Sequence, residues 1–426
     1  MKTAELKQAL AGTTLDSRFC EIYGSAALET QKARYLHAVE EFEKLYGADR
    51  EAALYSVAGR SELSGNHTDH NHGCVIAASI DLDIIAVASP SAGSVIRVKS
   101  EGFPEDVVDF GVYNAPNPAR YEKSDSLIAG MVAGFRKEGL AVGGFDAYTT
   151  SNVLKGSGIS SSAAFEDMIG NILNYVYNDG KVSNVEIAKL AQYAENRFFG
   201  KPCGLMDQMA CAVGGIIAID FRDPSAPVIE QTDFDLSAAG YNLCIVNTGG
   251  NHADLTGDSA SVPAEMKSVA AYFGKEFLRD TDENAVLAAI PALREKVGDR
   301  AILRALHFFA ENRRVAAQKA ALKAGDLDTF LANVIASGRS SFCYLQNVYT
   351  TKNVSEQGLS LALCLAERVL SGKRAAWRVH GGGFAGTIQA FVPTEDVAEF
   401  RAVMDAAFGE GRCMVLRVRP EGALRV

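Results

Sequence analysis

The sequence predicts an α/β protein, with strands and helices interleaved along 426 residues. Three observations lead there. Phe145, Ala147 and Thr149 alternate within 145–153, the two-residue period of a strand. Beyond a glycine–serine run, Phe165, Met168, Ile169, Ile172, Leu173 and Val176 recur at the spacing of an amphipathic helix. The length also suits two domains, each with a substantial core.

The elements follow in chain order. Residues 27–46 read as an N-terminal helix. Apolar runs at 54–58 and 74–80 read as structured elements on either side of a dense polar loop, 59–73. Residues 107–148 hold a strand, a loop and a helix near 126–137. The strand, glycine–serine loop and helix of 145–176 come next. The helix at 183–199 opens on a capping box, Ser183 with Glu186, and stops at Gly200-Lys201-Pro202. Gly214 and Gly215 lead into a strand at 216–220, which we take to open the second half. Helices fill much of 264–371, and strands return near 374–392 and 414–418. No Pro-rich linker marks a boundary, so the expected division is 1–215 and 216–426.

Net charge is −10, with no run of Lys or Arg. That argues against binding nucleic acid or a membrane surface. The eight cysteines are scattered and form no metal-type pair. The Met1-Lys2-Thr3 start has no signal-peptide pattern, so reduced thiols in a cytoplasmic protein are expected. No apolar stretch is long enough to span a bilayer.

The polar loop runs Gly59-Arg60-Ser61-Glu62-Leu63-Ser64-Gly65-Asn66-His67-Thr68-Asp69-His70-Asn71-His72-Gly73. A core does not call for that mixture, because each buried polar group needs a partner. Taken alone the loop reads as a solvated turn, as a metal site on His67, His70 and His72, or as a grip on a many-hydroxyl substrate. No Cys-x-x-Cys or His-Glu-x-x-His pair completes a metal site, and two further segments favour the polyol reading. Lys155-Gly156-Ser157-Gly158-Ile159-Ser160-Ser161-Ser162-Ala163-Ala164 has the chemistry of a phosphate cradle. Glycines let backbone N–H groups turn inward, and the helix N-terminus behind them favours an anion. It is not a Walker loop, since no Gly-Lys-Ser/Thr follows. His380-Gly381-Gly382-Gly383-Phe384-Ala385-Gly386 reads equally as a tight hairpin or as a place where backbone closely approaches a ligand or another backbone.

In this order the three segments resemble the GHMP kinase superfamily and, within it, the galactokinase family. That family carries Gly-Arg…Gly-Glu-His-Thr-Asp-Tyr-Asn, Gly-x-Gly-Leu-Ser-Ser-Ser-Ala and Gly-Gly-Gly-Phe-Gly-Gly. Cys203-Gly204-Leu205-Met206-Asp207-Gln208, Glu311-Asn312-Arg313-Arg314-Val315 and Pro420-Glu421-Gly422-Ala423 add to the likeness, which spans nearly the whole chain. The resemblance implies a mixed-sheet N-terminal domain, an α+β C-terminal domain and an active site between them. It implies ATP-dependent phosphorylation of D-galactose at its anomeric hydroxyl, with Mg²⁺. Asp207 is then the base and Arg60 its partner, although a plain structural salt bridge would use the same two residues. Asn66, His67, Thr68, Asp69 and Gly204 would bind the sugar. Gly156, Ser157, Gly158, Ile159, Ser160, Ser161 and Ser162 would bind the nucleotide. Ser162 and Glu195 would hold the metal, whereas Glu195 read alone is an exposed helical carboxylate.

Two departures bear on the sugar. The family's Glu-His-Thr-Asp tetrad is Asn66-His67-Thr68-Asp69 here. The family's sugar-contacting tyrosine, about a dozen residues after Asn247-Thr248-Gly249-Gly250, is replaced by Ser259-Ala260. A drifted preference, for galacturonate, arabinose or N-acetylgalactosamine, is therefore an alternative, and a non-catalytic galactose and ATP sensor is another. The expected partners are the sugar and ATP, in a monomer or weak dimer.

Overall fold

The structure is a computed structural model that describes residues 1–153, 161–201, 203–250 and 255–426. Three helices open the chain: α1 (Thr3–Ala11), α2 (Asp16–Tyr23) and α3 (Leu28–Tyr46). Strands β1 (Ala53–Ser64), β2 (Cys74–Ser91), β3 (Val95–Ser100) and β4 (Glu105–Asp109) follow, then α4 (Ser124–Lys137), β5 (Gly144–Ser151), α5 (Ser161–Tyr177) and α6 (Asn184–Ala194). A π-helical turn, Glu195–Phe199, leads to α7 (Met206–Val213), β6 (Ile216–Asp220), β7 (Val228–Thr232) and β8 (Tyr241–Asn247). The helices α8 (Thr256–Tyr272), α9 (Glu283–Ala288), α10 (Ile290–Lys296), α11 (Asp299–Ala324), α12 (Leu327–Ser340) and α13 (Gly358–Leu370) come next. The chain closes with β9 (Ala376–His380), β10 (Thr387–Pro393), α14 (Val397–Phe408), β11 (Cys413–Leu416) and β12 (Ala423–Arg425).

The strands form two sheets. The first is mixed and runs β12-β1-β2-β5-β3-β4, with β6 and β7 added along the start of β2. Only β3 and β5 are parallel within it. The second, β11-β8-β10-β9, is antiparallel. Strand β2 joins the regions of the molecule, because at 18 residues it is long enough to pair with β5 over Ile84–Ser91 and with β6 over Cys74–Ala78. The alternation of side chains sorts its residues into different cores. Ile84, Ala86 and Ala88 face Ile128, Ile169, Ile172 and Ile187 of α4, α5 and α6. Ile85 and Val87 face Phe19, Tyr35, Val39 and Phe42 of the N-terminal helices. Near its start, Ile76 and Ala78 pack with Leu243, Ile245, Phe330 and Val334, the layer between the two sheets.

A buried ionic knot ties the N-terminal helices to the first sheet. Asp83 on β2 is fully buried and bonds Arg34 of α3, Tyr23 of α2 and Arg419 near the C-terminus. Removing one partner of such a knot leaves a charge uncompensated, so its members stand or fall together.

Local signals are read correctly at α6, where Ser183 Oγ accepts from the Glu186 N–H at 3.2 Å and Glu186 accepts from the Ser183 N–H at 2.9 Å. Three expectations change. Residues 59–64, read as loop, belong to β1, because they pair with β2 as far as Ile76. Strand β6, read as opening the second half, hydrogen-bonds β2 in the first sheet, so sheet membership does not change at residue 215. Helices α1 and α2, both missed, cover the outer face of that sheet. Among the described residues, no helix is long and apolar enough to cross a membrane.

Candidate active site

Strand β1 carries Arg60 and Glu62, and residues two apart emerge on one side of a strand. Both line a cleft of about 240 Å³, shared with His67, Asp69 and His70 of the polar loop. The segment before α7 adds Lys201, Cys203 and Gly204, α7 itself adds Met206 and Asp207, and the turn between β9 and β10 adds Gly381 and Gly382. One cleft therefore gathers three stretches that lie more than a hundred residues apart in sequence.

Asp207 sits in the first turn of α7, where the helix dipole favours a negative charge. Its Oδ1 accepts from Arg60 Nε at 2.8 Å and lies 2.8 Å from the terminal nitrogen Nη2. Arg60 is buried, and burial works to lower its pKa, yet Asp207 opposite it raises the value overall. The pair is a charge-assisted, two-point contact that fixes the Asp207 carboxylate at the cleft wall. Cys211, deep behind it, has its thiol pushed well up by burial and is no nucleophile.

The polar loop is held by two clamps. The first is helix α11. Glu311 Oε1 accepts from the Gly65 and Asn66 N–H groups, each at 3.3 Å, and from Ser337 Oγ at 2.5 Å, while Oε2 accepts from Arg314 Nε at 2.6 Å. Burial alone would raise the Glu311 pKa, but His307, Arg314 and Arg378 outweigh it and bring it down to about 2. One turn earlier, His307 Nε2 donates to the Asn66 carbonyl at 3.0 Å, so Nδ1 accepts from Ser340 Oγ at 2.8 Å. Next to Glu311, Asn312 Oδ1 accepts from the Cys74 N–H at 2.8 Å. Gly65 must be glycine, since its φ is +93° and a Cβ would lie 2.4 Å from the Cys74 carbonyl.

The second clamp is the glycine turn. Asn66 Nδ2 donates to the Gly381 carbonyl at 2.8 Å, and His67 Nε2 donates to the Gly382 carbonyl at 2.8 Å. At Gly383 a Cβ would fall 1.9 Å from the Asn347 carbonyl. Both sequence readings of this segment thus hold: it is a hairpin, and its backbone approaches another backbone closely. The bond from His67 to Gly382 also fixes its tautomer, and burial lowers the His67 pKa so that the ring stays neutral.

The structure divides the expected sugar-binding residues. His67, Asp69 and Gly204 line the cleft, and a Cβ on Gly204 would lie 3.0 Å from Asp69 Oδ2. Asn66 and Thr68 do not line it. Asn66 is fully buried, with Nδ2 spent on Gly381 and on Glu62 Oε1 at 3.2 Å, and Oδ1 accepting from Asn347 at 2.9 Å and Ser341 at 3.2 Å. Thr68 Oγ1 lies 2.7 Å from the Cys74 carbonyl and 3.0 Å from that of Gly65. Their chemistry holds the loop in shape. The metal reading of the histidines finds no support either, since His67 serves Gly382 and His72 stacks on Phe277 with ring centroids 3.7 Å apart. Glu62, His307, Glu311 and Asn347 were missed as site residues, although Glu62 stood in the quoted polar stretch and Glu311 in a quoted motif.

Of the expected nucleotide residues, Gly156, Ser157, Gly158, Ile159 and Ser160 lie outside the described residues. Ser161 and Ser162 open α5. Glu195 is not an exposed helical carboxylate. It is buried at the start of the π-helical turn, 3.5 Å from Lys201 Nζ, and accepts from Gln208 Nε2 at 2.7 Å. Glu166 shares that amide at 3.2 Å, and its other oxygen is buried without a partner among the described residues. Burial, then the neighbouring Glu195, pushes the Glu166 pKa well up. Two buried carboxylates around one amide make a region of hard oxygen donors that suits a divalent cation.

Comparison with known proteins bears on this geometry. The family profile for the GHMP kinases N terminal domain matches residues 126–215, and the galactokinase galactose-binding signature matches 40–90. A galactokinase of Streptomyces coelicolor is 32% identical over 378 residues, 87% of this chain and 92% of the relative. The chain belongs to the galactokinase family. Membership makes it a sugar kinase, a phosphotransferase of the GHMP kinase superfamily, in which ATP is the phosphate donor. A galactokinase of Actinobacillus pleuropneumoniae serotype 3 is 31% identical over 86% of the chain and 92% of the relative. Among solved structures, a Lactococcus lactis galactokinase complexed with galactose aligns with TM-score 0.75 at 23% identity, covering 91% of this chain and 98% of that one. A mevalonate kinase aligns with TM-score 0.61 at 13% identity, over 86% and 99%. These two likenesses speak for the fold. Within the family's tetrad, this chain keeps the two members that line the cleft, His67 and Asp69.

Proposed function

We propose that this galactokinase-family chain transfers the γ-phosphoryl group of ATP to the anomeric hydroxyl of D-galactose. The observation that carries the reading is the Arg60–Asp207 pair in the wall of a polar cleft that also presents His67, Asp69 and the backbone of Gly204, Gly381 and Gly382. A sugar hydroxyl is a weak acid, and a positioned carboxylate that accepts its proton makes it a better nucleophile. Asp207 fills that role, and Arg60 beside it keeps a fixed positive charge where negative charge develops. Asp69 and His67 orient the sugar through its other hydroxyls, so that the attacking oxygen lies in line.

The nucleotide phosphates belong at the N-terminus of α5, where Ser161 and Ser162 supply N–H and hydroxyl donors. Glu195 and Ser162 would hold Mg²⁺, which neutralises charge on the phosphate oxygens. Lys201, 3.5 Å from Glu195, adds a cation on the cleft side of that region. We place the enzyme in the cytoplasm, with a neutral free sugar as its substrate.

The test is a panel of free sugars assayed with Mg-ATP, with ADP formation and product followed together. Galactose should give the highest kcat/KM and an anomeric monophosphate. ATP turnover that does not depend on sugar, or galactose binding without turnover, would defeat the reading.

A further inference from the structure

The family's tetrad begins with a glutamate, and here that position is Asn66, sealed from the cleft and hydrogen-bonded wholly within the protein. The cleft is not short of a carboxylate on that side. Glu62 lies four residues earlier, lines the cleft, and touches Asn66 through Oε1 at 3.2 Å. The same oxygen is paired with Arg378, itself fully buried and anchored to the Leu63 carbonyl at 3.1 Å and the Val379 carbonyl at 2.9 Å. Both partners of Glu62, Asn66 and Arg378, hold Oε1, which leaves Oε2 without a hydrogen bond among the described residues, on a side chain that lines the cleft.

We propose that Glu62 is a specificity-determining residue of this chain: Oε2 accepts a hydroxyl of the bound sugar, in place of a carboxylate at position 66. This rests on the reading of the cleft as a sugar site. Arg378 and Asn66 hold Oε1, so the carboxylate is fixed before the sugar arrives and little side-chain freedom is lost on binding. The placement also decides the charge class of the substrate. The cleft has carboxylates at Glu62, Asp69 and Asp207, and its cations already face carboxylates, Arg60 on Asp207 and Lys201 on Glu195. A sugar acid would set a further negative charge among them, where like charges in a partly dry site repel. The loss of the tetrad glutamate therefore does not open the site to galacturonate. Charge has been kept and supplied from strand β1.

The experiment measures galactose binding by calorimetry without ATP, and kcat/KM for galactose and galacturonate, in three proteins. These are the wild type, Glu62→Gln, and the exchange variant Glu62→Asn with Asn66→Glu. Glu62→Gln keeps an acceptor for Arg378 but loses the charge. It should weaken galactose binding about tenfold and shift the galacturonate-to-galactose kcat/KM ratio upward about tenfold or more, with KM for ATP within about twofold. The exchange variant returns a carboxylate to the tetrad and should bind galactose within about threefold of wild type. Unchanged galactose affinity and an unmoved sugar ratio in Glu62→Gln would overturn the proposal. Should Glu62→Gln fail to fold, a folded exchange variant that binds galactose supports it, and one that does not bind overturns it. A wild type that binds galactose without phosphorylating it defeats the proposed function and leaves the binding arm to judge Glu62.

Discussion

Gly204 lies against Asp69 at the cleft, and the contact is tight enough that even a methyl would press on the carboxylate. A methyl on Gly204 would sit 3.0 Å from Asp69 Oδ2, tighter than an ordinary contact, so the carboxylate must give way. Gly204→Ala should raise KM for the sugar several-fold while KM for ATP stays unchanged, and steady-state kinetics on both substrates checks it. Misplacing a substrate-positioning group by a fraction of an ångström is enough for an effect of that size. Glu195→Gln should raise the Mg²⁺ concentration needed for half-maximal activity, since a charged hard ligand becomes a neutral one. The protein should remain folded, because Gln208 keeps a partner at residue 195. A Mg²⁺ titration of the two proteins that superimposes would leave Glu195 as a structural anchor for Gln208 and Lys201. At this scale the sequence showed which residues were chemically unusual but not where they point. Asn66 and Thr68 stand beside His67 and Asp69 in the same tetrad, yet one pair holds the loop and the other faces the cleft. Glu62 escaped notice because residues 59–64 read as loop, and its partner Arg378 lies 316 residues away.

Helix α11 is the element that shapes the site without lining the sugar cleft. From His307, Glu311 and Asn312 it takes hold of both ends of the polar loop. Glu311→Ala would strip four donors of one acceptor in a buried region, a change that costs about 3–5 kcal/mol. Glu311→Gln should cost clearly less, because a carbonyl oxygen remains for the loop N–H groups. Urea unfolding of both variants gives the comparison, and equal losses would mean that the loop N–H groups are not what Glu311 serves. The same helix predicts a pH dependence. Burial holds His307 near pKa 4 against an ordinary 6.5, so its contribution to stability is complete above pH 6.5 and is lost as pH falls towards 4. Glu311, at about 2 against 4.5, contributes above pH 4.5 and loses that as pH falls towards 2. Both slopes have one sign. His307→Gln should make the urea midpoint less sensitive to pH between 6.5 and 5 than in wild type, with the remaining sensitivity shared by His67 and His380, which burial also holds low. The helix was expected only as part of a broad helical stretch, 264–371, and Glu311-Asn312 stood in a family motif. The clamp was not legible, because its partners lie more than two hundred residues away.

The whole molecule is organised around β2, a strand long enough to serve three cores. Its start packs in the layer between the sheets and its end packs under the N-terminal helices. Part of the order of elements was readable, since strand and helix periods are local, and so was the capping box of α6, whereas α1, α2, β3, β7, β8, α14 and β12 were not. Sheet membership was not. Nothing in the apolar run of β6 says that it pairs with β2, and nothing in the short β12 says that it returns to β1. Pairing is decided by which edges remain open once the longer strands have packed. That return matters for the site, because it helps fix β1, the strand that presents Arg60 to Asp207. We propose that this pair carries phosphoryl transfer to a sugar hydroxyl. It is tested most directly by following the phosphorylated product by ³¹P NMR for wild type and Asp207→Asn, at saturating galactose and Mg-ATP, with nucleotide affinity and melting temperature measured alongside. Wild type should give an anomeric sugar phosphate, and the variant should lose about a hundredfold or more in rate with nucleotide affinity unchanged. A folded variant that retains half of the wild-type rate would contradict it.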